Sequence, residues 1–220
     1  MVALEEQNRL FALIGEKLNT KIECFVIGGS AMLYYGAKQV TKDIDLVFLN
    51  EKDRNIVARI LKELGFETRN AKILYFEKEN IPMLLQRGDA RFDLFSKKIV
   101  CFELSDSIIE KVKEVYEYGN LIIKVVSPED IILLKCATER AGDRLDAAEL
   151  IAKFNINWET IMSESIAQTK EGREIFPVFL YDFLCELKED LKADIPNDVI
   201  KRVMKIGEKA MLQALKKKHR

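Results

Sequence analysis

Asp43-Ile44-Asp45 is the first place in this 220-residue chain where residue type and spacing point to chemistry. The pair lies in the run Thr41 to Leu49, which reads as a strand. Side chains two apart on a strand share a face, so both carboxylates project together, roughly 7 Å apart. Two anions so placed repel, and a divalent cation held between them removes the penalty; Mg²⁺ is the usual choice where oxygen ligands meet phosphate. Shortly before them, Val26-Ile27-Gly28-Gly29-Ser30-Ala31 ends a strand in a glycine turn that opens a helix. Free N–H groups at such a turn can hold phosphate oxygens. A third acid, Asp93 in Arg91-Phe92-Asp93-Leu94-Phe95, sits on another apolar strand, where an inward charge calls for a partner. For the isolated acid pair, the plain alternative is a solvated strand end.

Composition removes other chemistries. The single histidine is His219, next to last in the chain. Ser-His-Asp and Cys-His nucleophile pairs, His-rich zinc sites and HExxH helices are thereby set aside, leaving carboxylates, Lys, Arg, hydroxyls and backbone. The four cysteines, Cys24, Cys101, Cys136 and Cys185, are far apart and form no CxxC pair, which reads as buried thiols. No apolar run approaches a membrane span and the first residues carry no signal-peptide core, so the expected protein is soluble and cytoplasmic, with no membrane partner. With 48% hydrophobic residues the chain can bury a real core.

The elements that must position these residues emerge from pattern. Residues 4–18 have the spacing of an amphipathic helix, and Ile22 to Ile27 that of a strand. Asn50 is a plausible N-cap for a helix from Glu51 to Leu64, with Gly65 as its stop. Extended segments are expected near Lys72 to Glu77, Met83 to Gln86, Arg91 to Phe95 and Ile99 to Glu103, then a hairpin from Val112 to Val126 turning at Tyr118-Gly119-Asn120. At Ser127-Pro128-Glu129-Asp130 a capping signal opens a purely helical half. Helices are expected over 128–140, 143–153, 158–170, 173–189 (interrupted by Pro177) and 196–217. The expectation is an α+β fold: a mixed-sheet domain over 1–126 flanked by helices, then a helical bundle over 127–220.

The runs Val26-Ile27-Gly28-Gly29-Ser30-Ala31 and Thr41-Lys42-Asp43-Ile44-Asp45-Leu46, with Asp93 on a later strand, resemble the hallmark of the DNA polymerase β-like nucleotidyltransferase superfamily. Ser127-Pro128-Glu129-Asp130, Lys135, Arg140, Asp143 and Asp146 resemble the next segment in its small prokaryotic, AbiEii-like branch. The resemblance covers about residues 20–152. It implies transfer of a nucleoside monophosphate from an NTP to an acceptor hydroxyl or phosphate, with release of pyrophosphate. Asp43, Asp45 and Asp93 would hold Mg²⁺ or Mn²⁺ and serve catalysis, Asp93 also helping to deprotonate the attacking hydroxyl. Gly28, Gly29 and Ser30 would bind phosphates, the serine through its hydroxyl as well. Lys135 is similar to the family's triphosphate-binding lysine, with Asp146 orienting it; equally, Lys135 reads as an ordinary helix lysine, and Asp143 and Asp146 as an N-cap and a first-turn acid. Where this branch often carries Arg, the chain has Gln39, so Lys38 or Lys42 would supply that charge.

The acceptor stays open between RNA such as tRNA, a protein hydroxyl and a small molecule. Residues 201–220 hold eight Lys or Arg and one Glu, a local +7, which reads first as a solvated terminal helix and also permits contact with RNA phosphates. The second hypothesis is a binding module: a weakly active or inactive nucleotidyltransferase fold serving as antitoxin or regulatory partner in a toxin–antitoxin pair.

Overall fold

The computed structural model describes residues 1–73, 78–138, 140–171 and 175–218. The chain divides into two compact units, Met1–Ser127 and Pro128–Arg220.

In the first unit, a seven-strand path carries the fold. Its strands are β2 (Ile22–Val26), β4 (Ile44–Phe48), β5 (Glu67–Arg69), β6 (Met83–Arg87), β7 (Ala90–Ser96), β10 (Glu114–Tyr118) and β11 (Leu121–Val125), after the short β1 (Val2–Ala3) and β3 (Val40–Thr41). The order across the sheet is β10-β11-β2-β4-β7-β6-β5, and the short β8 (Lys98–Ile99) and β9 (Phe102–Glu103) extend from β7. Pairing is mixed: β11 with β2 and β4 with β7 are parallel, the other neighbours antiparallel. The central strands bury Ile44, Leu46, Phe48, Phe92 and Leu94 on one face, while the other carries Arg91, Asp45 and Asp93 beside Val47 and Phe95. Helix α1 (Leu4–Lys17) lies against β10 and β11, and α3 (Glu51–Glu63) against β4, β6 and β7. Phe11 of α1 meets Phe92 of β7 at a ring separation of 6.5 Å, and Phe66 meets it at 5.4 Å. Phe92 and Leu94 thus face these helices, which by strand alternation sends Arg91 and Asp93 to the opposite face.

Local chemistry explains the ends of elements. Asn50 caps α3 by accepting the Asp53 N–H at 2.9 Å, and Gly65 past its end takes φ +87°. Four expectations are corrected. The run Thr41 to Leu49 is not one strand: the chain bends at Lys42, Val40–Thr41 pairs with Val2–Ala3, and Asp43 stands just before β4. The strand expected near Lys72 to Glu77 is replaced in its described part by a 3₁₀ turn, Ala71–Ile73, the strand itself being Glu67–Arg69; residues 74–77 lie outside the described residues. Ile99 to Glu103 folds into β8 and β9, because Val100 takes φ +56° and reverses the chain. Helix α4 (Asp106–Lys111) stands where no helix was expected, although Ser105 caps it through the Ile108 N–H.

The regular elements of the second unit, among its described residues, are all helices: α5 (Pro128–Cys136), α6 (Ala141–Lys153), α7 (Trp158–Glu171), α8 (Phe176–Glu189) and α9 (Asn197–Lys218). Pro177 does not interrupt α8 but sits in its first turn, where a missing N–H costs nothing. No disulfide joins the four cysteines, and burial pushes the Cys24 thiol far up, away from its reactive form. No described helix is long and apolar enough to cross a membrane.

Candidate active site

The sheet register brings the acids together. Asp45 on β4 and Asp93 on β7 are direct partners across a parallel pair, so two carboxylates stand side by side on the face turned away from α1 and α3. Asp43 is two residues before Asp45. The glycine turn reaches the same place from β2, which pairs with β4 on its other side, and the Ile27 N–H donates to the Asp45 carbonyl at 3.2 Å. Gly28 takes φ +61°, and a Cβ built there would lie 2.9 Å from Asp45 Oδ2. Only a residue without Cβ fits that conformation so close to the carboxylate. Gly29 is confined by space alone, its would-be Cβ 2.6 Å from the hydroxyl of the buried Thr41.

Asp93 is 0% exposed, so its charge must be met inside the protein. Arg91 meets it with a fork: Nε donates to Oδ1 at 2.7 Å and Nη2 to Oδ2 at 3.2 Å, while the same Nη2 also donates to Asp43 Oδ2. Burial alone would lower the Arg91 pKa. The field and hydrogen bonds of Asp93, then the fields of Asp43 and Asp45, outweigh it and hold the guanidinium above its ordinary value. Three carboxylates and one guanidinium leave a formal charge of −2 at this spot.

Six of the expected site residues, Gly28, Gly29, Ser30, Asp43, Asp45 and Asp93, fall around this point of the first unit. Ser30 is fully buried, and its hydroxyl donates to Gln7 Oε1 while Gln7 Nε2 donates to the Ser30 carbonyl at 3.4 Å. That hydroxyl is committed inward, which leaves backbone N–H groups for any anion. Lys42 is exposed at the bend, whereas the Lys38 stem runs beside Gly29, its Cδ 3.6 Å from a Cβ built there. Lys135 and Asp146 belong to the second unit. Lys135 Nζ, almost wholly buried, donates to Asp143 Oδ1 at 2.6 Å and Asp146 Oδ2 at 2.7 Å. Thr138 and Arg140 donate to the other oxygen of Asp143. Burial would raise the Asp143 pKa, but the charge and hydrogen bond of Lys135, then Thr138 and Arg140, hold it below its ordinary value. Arg91 and Gln7 are participants that the motifs alone did not single out. The signal for Arg91 was present: it stands two residues from Asp93, on the same strand face.

All-oxygen donors suit a hard divalent cation, so the chemistry of Asp43, Asp45 and Asp93 fits Mg²⁺ or Mn²⁺. As arranged, Arg91 occupies two of the three, and among the described residues no group of three or more His, Cys, Asp or Glu is placed to hold a metal ion.

Residues 7–209 match the model of the family described as "Nucleotidyl transferase of unknown function (DUF2204)". The chain belongs to this family. The nucleotidyl transferase family agrees with the resemblance carried by the glycine turn and the acids. No protein of curated function matches the chain. Among solved structures, this nucleotidyl transferase is similar to an antigenic nucleotidyltransferase-like protein from Paracoccidioides brasiliensis, at 18% identity over 90% of this chain and 98% of that one, with a TM-score of 0.48. It is similar to ANT(2")-Ia, solved in complex with adenylyl-2"-tobramycin, at 20% identity over 82% and 98% of the two chains, TM-score 0.41. A third is MenT4, a nucleotidyltransferase toxin from Mycobacterium tuberculosis H37Rv, at 11% identity over 86% and 66%, TM-score 0.47.

Proposed function

We propose that this nucleotidyl transferase moves a nucleoside monophosphate from an NTP to an acceptor hydroxyl, in a metal-dependent reaction centred on Asp43, Asp45 and Asp93. The observation that carries the reading is the register: Asp45 and Asp93 paired across β4 and β7, with Gly28 held against Asp45. The acceptor oxygen attacks the α-phosphorus, its proton passes to Asp93, and the bond to the β-phosphate oxygen breaks to release pyrophosphate. A divalent cation held by the three carboxylates would neutralise the triphosphate and the charge that develops on it. The N–H groups of Gly28, Gly29 and Ser30 bind phosphate oxygens without reorganising at the moment of transfer. Lys42 or Lys38 adds positive charge nearby. Lys135, its ammonium fixed by Asp143 and Asp146, is proposed for nucleotide binding on the family resemblance alone.

The basic 201–220 segment permits an RNA acceptor; a protein or small-molecule acceptor is the alternative outcome of the same assay. Wild-type protein and Asp43→Ala are incubated with each α-labelled NTP, Mg²⁺ or Mn²⁺, and total RNA or lysate. Transfer and pyrophosphate release by wild type are expected, with a loss of two to three orders of magnitude, roughly, in the variant. No label transferred and no pyrophosphate from any NTP would overturn the reading. It would leave the second one, a binding module with a toxin–antitoxin partner, which the internal neutralisation of Asp43 and Asp93 by Arg91 favours.

A further inference from the structure

Arg91 bonds two of the three acids at once. Its guanidinium spans Asp43 and Asp93, the first partly exposed at the bend before β4, the second buried on β7. It cannot be dismissed as a surface pair, because Asp93 is fully enclosed and Arg91 is only 24% exposed. A divalent ion bound by the same oxygens would have to share or take over those lone pairs, and would feel the guanidinium charge at close range.

We propose that Arg91 is a resident counter-cation that holds the acid cluster in a metal-free state, and that metal uptake must first draw Asp43 away from it. This rests on the reading of Asp43, Asp45 and Asp93 as metal ligands. The sequence supplies the parts: Arg91 and Asp93 share a strand face, while Asp43 lies at the bend just outside β4, where a carboxylate can swing without breaking the ladder. Arg rather than Lys suits the task, since only a planar fork can hold Asp93 with both nitrogens and still reach a second carboxylate. Arg91 is thus a positioning residue. It keeps a cluster of formal charge −2 folded without metal and sets a threshold for loading it.

The test measures Mn²⁺ binding to the full chain without nucleotide, by electron paramagnetic resonance, alongside thermal unfolding in EDTA. With the guanidinium gone, its competition for the Asp43 lone pair ends, so Arg91→Gln should bind Mn²⁺ roughly tenfold more tightly or better. Without metal it should melt below wild type, because Asp93 has lost the Arg91 fork, and added Mn²⁺ should close that gap. Arg91→Lys, which balances Asp93 but cannot bridge to Asp43, should fall between the two and decides the matter if Arg91→Gln does not fold. Asp45→Asn, which leaves the Arg91 fork intact, should abolish Mn²⁺ binding in every background. If Arg91 variants bind Mn²⁺ no better than wild type while Asp45→Asn still abolishes it, the counter-cation role is wrong and the metal ligands stand. If no form binds Mn²⁺, the metal reading itself fails and takes this proposal with it.

Discussion

At the scale of single residues, the site is defined by what each position excludes. Gly28 combines a left-handed φ with a Cβ direction aimed at the Asp45 carboxylate. Gly28→Ala therefore carries two costs of different kinds. The backbone strain is about 1–2 kcal/mol and appears in thermal unfolding. The contact pushes Asp45 out of line with Asp93, and it appears only in transfer. We expect a folded variant whose melting point falls by a few degrees and whose transfer rate falls by roughly a hundredfold, since small misplacements at a reacting centre have effects of that size. A folded Gly28→Ala protein that transfers at the wild-type rate would remove the glycine turn from the site. Ser30 reads differently: its hydroxyl, closed onto Gln7, belongs to the packing of α1 against the turn. The sequence shows a serine beside two glycines but not which way it points, and that depends on Gln7, 23 residues away.

At the scale of elements, pattern located most of the sheet and nearly every helix because those arise from apolar period and caps. Asp45 and Asp93 were legible as candidates for the same reason, since strand alternation states which side chains share a face; Asp43 was reached by extending that strand too early, and it stands before β4. What escaped depends on contacts remote in sequence. β1 is two residues long and exists only because Val40–Thr41 comes to pair with it. The bend at Lys42 arises from that pairing, not from any local turn signal. Gly15 is the sharpest case. It reads as a tolerated glycine inside an amphipathic helix, yet a Cβ there would lie 1.6 Å from the Tyr118 carbonyl oxygen, and the Asn120 N–H donates to the Gly15 carbonyl at 3.2 Å. Helix α1 thus sits backbone to backbone on the β10–β11 turn. Helix propensity alone would make Gly15→Ala stabilising by about 1 kcal/mol. The contact reverses the sign: we expect a loss of about 3 kcal/mol, the upper range for over-packing, and a melting point lower by roughly 10 °C in calorimetry. A Gly15→Ala protein as stable as wild type would show that α1 does not make this approach.

At the scale of the whole chain, a net charge of −1 conceals an asymmetry, with +7 in residues 201–220 and −8 in the rest. Much of the basic stretch lies on α9, where Arg202 is already paired with Glu159 of α7, so its charge is not all available to a partner. No aromatic residue stands among 201–220 apart from the imidazole of His219, so stacking on bases contributes little there and any RNA contact must be mainly ionic. An ionic contact has a distinctive salt response: each phosphate neutralised on a single strand adds about 0.7 to the slope of log affinity against log salt. Replacing Lys216, Lys217 and Lys218 by Gln should then weaken labelling of RNA uniformly across sequences and reduce that slope by up to roughly 2, with nucleotide transfer to a small hydroxyl acceptor, and the pyrophosphate it releases, unchanged. The measurement is the rate of labelled nucleotide transfer to RNA over a salt series, variant against wild type. Equal rates and equal slopes would assign the lysines to solvation of a terminal helix. The acceptor would then be sought among small molecules or protein hydroxyls, whose recognition needs no array of phosphate contacts.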